Sequence, residues 1–113
     1  MQFVIAESFS KGLQGLDTTS QAQVNAKVLE FIQRPDHPSF KFHRLKKVLD
    51  PNFWSARIND DVRMIVHKKG SSYCLCWVDR HDPAYEWAKS RRLEEHPQTG
   101  SIQIVAVEEH VER

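Results

Sequence analysis

Three apolar, alternating segments follow one another between Phe53 and Val78, and the turn signals separating them constrain this chain to a β-meander. The segments cover residues 53–59, 62–68 and 72–78. Asn59-Asp60-Asp61 and Lys68-Lys69-Gly70-Ser71 supply the side chains and the glycine that tight turns need. In the first segment Phe53, Ser55 and Arg57 share one face, and Trp54, Ala56 and Ile58 the other. In the second, Arg63 shares a face with Ile65 and His67, at the end of the strand where a cation reaches the sheet rim. The third is apolar on both faces, Tyr73, Leu75 and Trp77 opposing Cys74, Cys76 and Val78, which predicts a central position in the sheet.

The flanking sequence supplies the other elements. Residues 2–6 read as a first strand buried on both sides. Phe9, Leu13 and Leu16 lie at helical spacing over 8–16. Asp17 or Thr18 can cap a second helix, Thr18 and Gln21 fit a capping box, and Val24, Val28, Phe31 and Ile32 form its apolar stripe. Arg34-Pro35 ends it. Residues 36–52 form a connector with Phe40, Phe42, Leu45, Val48 and Leu49 as core anchors. Asp82 as N-cap and Pro83 in the first turn predict a helix over 84–93. His96-Pro97-Gln98-Thr99-Gly100 breaks it, residues 101–107 read as one more strand, and an acidic end follows. The expected organisation is one compact domain over 1–95 and an extension over 96–113.

Composition narrows the function classes. No apolar run approaches the ~20 residues of a membrane span, and the first residues lack the basic region of a signal peptide, so a cytoplasmic protein without membrane contact is expected. Cys74 and Cys76, alternate residues of one strand, suit neither a disulfide nor a complete zinc site and read as buried thiols. The net charge is +1, yet nine Lys and Arg against four Asp lie between Arg34 and Lys69, whereas the last twenty residues carry five Glu and one Arg. A polyanion site or a solvated charged face fits the basic middle.

The run Phe53-Trp54-Ser55-x-Arg57-Ile58, followed by Arg63 and the late His81, resembles the catalytic half of the RelE/ParE toxin superfamily, with the YoeB-like mRNA endonucleases nearest in pattern. The resemblance implies an α+β RelE-like fold: an antiparallel sheet, an N-terminal helical hairpin and a helix after the last core strand, here with an extra C-terminal strand. It also implies a ribosome-dependent, metal-independent endoribonuclease without a cofactor, which needs a base for the 2′-hydroxyl, cations for the phosphate and an acid for the leaving 5′-oxygen. Arg63 stands at the family's catalytic arginine; the bland alternative is a structural arginine paired with Asp60, Asp61 or Asp79. His81 matches the late histidine and would be the acid, or else a helix-capping residue. His43 falls where those enzymes place a glutamate base, two residues before Leu45-Lys46. Asp82 stands where they place a tyrosine. Tyr85 could stack on a base or simply pack. Lys41, Arg44, Lys46, Lys47, Arg57 and Arg80 would contact backbone phosphates.

Partners implied are RNA on the ribosome and a cognate antitoxin protein. Two other readings come with the same residues. The ending His81-Asp82-x-Ala84-Tyr85-x-Trp87-Ala88 also resembles the RelE-like N-terminal module of some UvrD-family DNA helicases, which would make this a non-catalytic binding module with helicase domains attached. ParE-like gyrase inhibitors share the fold without the nuclease residues.

Overall fold

The computed structural model describes residues 2–94 and, as backbone, 104–106. The meander forms as expected: β3 (Phe53–Arg57), β4 (Val62–Lys69) and β5 (Ser72–Arg80) pair antiparallel in sequence order. Two further strands complete a five-stranded sheet in the order β1-β5-β4-β3-β2, with β1 (Gln2–Ile5) beside β5 and the two-residue β2 (His43–Arg44) beside β3. β5 is flanked on both sides, in keeping with its unbroken apolar run.

Three features differ from the sequence reading. The β1–β5 pairing is parallel, so the sheet is mixed, antiparallel except at this edge. As an edge strand, β1 is only half-buried and Ile5 is 50% exposed, not buried on both sides. The connector contains a strand, β2, where the sequence read none.

β5 also carries a bulge. Ile65 pairs with Trp77 and Val66 with Leu75, so Cys76 is the extra residue. Beyond it the alternation inverts: Val78 joins Tyr73 and Leu75 in one core, while Trp77 joins Cys74 and Cys76 on the other face. The two thiols are buried and free, with Sγ atoms 3.7 Å apart, and burial pushes the Cys76 thiol well up.

Helices α1 (Glu7–Gln14) and α2 (Thr18–Gln33) cover one face. Phe9, Val24, Val28 and Phe31 enter a core with Ala56, Ile58, Met64, Val66, Tyr73 and Leu75. Phe31, fully buried, centres an aromatic cluster with Phe3, Phe40, Phe42 and Tyr73 at centroid distances of 5.2–6.1 Å. Gly12 lets α1 lie directly on β5, because a Cβ there would sit 2.7 Å from the Val78 carbonyl oxygen. Asp17 is the N-cap of α2, and the capping box does not close: Gln21 Nε2 donates instead to Leu16 O at 2.9 Å.

Helix α3 (His81–Lys89) lies on the opposite face over Phe53, Ile65 and Cys76. It starts earlier than the Asp82 signal suggested, with Arg80 in the cap position and His81 N donating to Asp61 O at 2.7 Å. It also ends earlier, at Lys89, and residues 91–93 turn into β6 (Arg91–Leu93). A tertiary contact overrides the helical pattern there. The buried Asp50 carboxylate accepts hydrogen bonds from Leu93 N, Asn52 N and His67 Nε2, each at 3.0 Å, tying connector, β4 and β6 together. β6 pairs antiparallel with β7 (Ile104–Ala106). The rest of the predicted 101–107 strand and the acidic end lie outside the described residues. No helix among them is long and apolar enough to cross a membrane.

Candidate active site

Because α3 covers only part of its face, a cleft of about 410 Å3 remains between α3, the sheet and the connector. The connector contributes His43, Arg44, Leu45 and Lys46; β3 contributes Ser55; β4 contributes Arg63 and Ile65; α3 contributes His81, Ala84 and Tyr85. Two cations, Lys46 and Arg63, two imidazoles and two hydroxyls thus line the cleft with no carboxylate among the lining residues, whereas the Arg44 guanidinium turns away to donate to Pro51 O at 3.0 Å and lie over the Trp54 ring. Such a pocket favours an anion.

Arg63 is half-buried and pinned at one nitrogen. Nη1 donates to Asn59 O at 2.6 Å and to Val62 O at 3.1 Å, leaving Nη2 and Nε without a partner among the described residues. The ion pair considered from sequence does not form. Asp60 is taken by Arg57 in a close contact, Asp61 faces Arg80 at 3.7 Å, and Asp79 accepts from Arg80 N. The loop that could have neutralised Arg63 instead orients it, its side Nη2–Nε edge suiting two phosphate oxygens.

Both histidines are exposed, and each has its Nδ1 engaged by an acceptor. His43 Nδ1 lies 2.8 Å from Lys41 O, and His81 Nδ1 lies 2.9 Å from Asp82 Oδ1. A carbonyl and a carboxylate only accept, so Nδ1 carries the proton in each ring and Nε2 is the nitrogen left for a ligand. Asp82, expected as a helix cap, is the partner that holds His81. Tyr85 is half-buried and its hydroxyl donates to Lys46 O at 2.6 Å, fastening the connector to α3 across the cleft wall.

The other sequence-nominated cations lie elsewhere. Arg57 and Arg80 are engaged with Asp60 and Asp61. Lys41 and Lys47 are exposed and take left-handed backbone conformations, φ 45° and 58°, at either end of the segment that carries the connector's cleft residues. Lys47 borders a separate depression with Glu86 and Lys89. Sequence reasoning gave no site role to Ser55, Leu45, Ile65 or Ala84. The alternation had placed Ser55 on the face of Arg57, which was the available signal. Among the described residues no three His, Cys, Asp or Glu side chains gather as metal ligands.

No family model and no curated protein matches the sequence. Solved structures do match the fold. YafQ from E. coli strain BL21(DE3) superposes with a TM-score of 0.61 at 12% identity, over 74% of this chain and 97% of that one. The chain has the RelE/ParE toxin fold. A YoeB/ParE toxin from Agrobacterium tumefaciens gives a TM-score of 0.55 at 21% identity, over 72% of this chain and 99% of the toxin. YafQ in the E. coli DinJ-YafQ complex gives 0.54 at 14%, over 74% and 97%. The RelE-like toxins are thus spanned almost end to end, while about a quarter of the present chain lies outside the match.

Proposed function

We propose that this chain is a RelE-like toxin that cleaves mRNA on the ribosome without a metal or other cofactor. The observation that supports it best is the convergence of His43, Arg63, His81 and Tyr85, from three separated segments, on one cleft with no carboxylate among its lining residues. His43 Nε2 takes the proton of the 2′-hydroxyl, whose oxygen attacks phosphorus. Arg63 holds the non-bridging oxygens as their charge grows. The bond to the 5′-oxygen breaks, and His81, protonated on both nitrogens, delivers the proton from Nε2. The products are a 2′,3′-cyclic phosphate and a 5′-hydroxyl. Tyr85 offers a ring for base stacking, and Lys46 holds a flanking phosphate.

In this reading residues 1–95 are the toxin unit, 96–113 an appended segment, and the protein works in the cytoplasm under a cognate antitoxin. The test is induced expression of the chain and of an Arg63→Ala/His81→Ala variant, following growth and transcript integrity. Growth arrest with cut transcripts, lost in a variant that stays folded, is expected. Intact transcripts and normal growth would favour a non-catalytic RelE-like binding module, as in a helicase-linked domain. Growth arrest with intact transcripts would turn attention to gyrase.

A further inference from the structure

Ser55 lines the cleft and is the one polar residue of its lining that is almost fully buried, at 6% exposure. Its strand neighbours hold it in place: His43 is its register partner on β2 and Ile65 on β4, while Arg63 lies one pair further along the same face. Side chains directly opposite in such ladders have Cβ atoms about 5 Å apart, and diagonal ones about 7–8 Å. Ser55 thus lies between the imidazole of His43 and the guanidinium of Arg63.

Its hydroxyl has no hydrogen-bond partner among the described residues, whereas the part-buried Ser8 hydroxyl donates to Cys76 O at 2.5 Å and buried Asp50 accepts three bonds. The Ser55 Oγ is not one of the buried polar atoms left without a partner, so it opens to the cleft, where an acceptor on a ligand can take the place of water. The side in which this hydroxyl can find a partner is the cleft. We propose that Ser55 is a substrate-contacting residue whose Oγ–H donates to a non-bridging oxygen of the RNA phosphodiester held by Arg63. This rests on the function proposed above and adds a third donor to the two open nitrogens of Arg63, from the neighbouring strand on the same face.

The test is equilibrium binding of a short oligoribonucleotide, with a single 2′-deoxy position to block cleavage, followed by amide NMR shifts in the wild type, Ser55→Ala, Ser55→Thr and Arg63→Ala. The expected result is a Kd about tenfold higher for Ser55→Ala, with Ser55→Thr within about twofold of wild type because it keeps the hydroxyl. Ser55→Cys, similar in size but a weak donor, replaces the alanine variant if that variant loses its folded spectrum. Wild-type affinity in Ser55→Ala, equal weakening in Ser55→Thr, or no binding by the wild type would each overturn the proposal. Two outcomes separate it from the nuclease reading. Ser55-dependent binding without cleavage of ribosome-bound mRNA would sink the nuclease and keep the contact. Cleavage with Ser55-independent binding would do the reverse.

Discussion

The two faces of the sheet are built to different ends. The face under α1 and α2 is sealed by helices and filled by the Phe31 aromatic cluster. The face under α3 is covered by one nine-residue helix, and the uncovered remainder exposes the ends of Arg63, His43 and His81 to a shared cleft. The same three strands thus make a sealed core on one side and, on the other, a smaller core with a polar cleft beside it. What separates them is alternation: along β4, Val62, Met64 and Val66 point to the hairpin, and Arg63 and Ile65 to the cleft. Stability and chemistry should therefore be separable by face.

The sharpest separation comes from Phe31→Ala on the sealed face. Removing this fully buried ring should cost about 3–5 kcal/mol of unfolding free energy in urea titration while leaving activity per folded molecule unchanged. A loss of activity in the folded fraction would break the division.

Asp50 tests the seam between connector, β4 and β6. Asp50→Ala removes the acceptor of three hydrogen bonds, two of them buried, and should cost about 3 kcal/mol. Burial pushes the Asp50 carboxyl up, but hydrogen bonds from His67, Leu93 N–H and Asn52 N–H outweigh it and hold the group below the usual carboxylate value. Its folded value lies under its unfolded one, so its contribution is complete above about pH 4 and is lost as pH falls through the lower folded value. Asp50→Asn should accordingly show a flatter acid limb than wild type in thermal melts across that range.

The smallest expected effect joins the two aims. Tyr85→Phe removes the hydrogen bond to Lys46 O and should cost about 0.5–1.5 kcal/mol while loosening the cleft wall. Melting temperature and RNA affinity measured together show whether that bond shapes the cleft or only stabilises the fold.

The meander and hairpin were legible because alternation and the helical stripe at Val24, Val28 and Phe31 are local patterns. Pairing direction is not local, so β1 beside β5 gave no sign that it runs parallel. β2 is two residues long and has no period to read. The bulge at Cys76 was hidden because β5 is apolar on both faces, so shifting the alternation changed no residue type. The end of α3 was set by Asp50, forty-three residues before Leu93. At the site, the resemblance and the charge pattern together nominated His43, Arg44, Lys46, Arg63, His81 and Tyr85, all of which line one cleft although the Arg44 guanidinium turns to Trp54; they also nominated Lys41, Lys47, Arg57 and Arg80, which do not. The difference lies in carboxylate partners and backbone turns that composition does not reveal.

The most direct measurement is cleavage of an end-labelled mRNA on programmed ribosomes by the purified wild-type chain and by Arg63→Ala, with the product ends mapped. The account predicts fragments ending in 2′,3′-cyclic phosphate and beginning with 5′-hydroxyl, formed about 10²–10³-fold more slowly by an Arg63→Ala variant that remains folded. Uncut mRNA with the wild type, or equal cleavage by the variant, would contradict it.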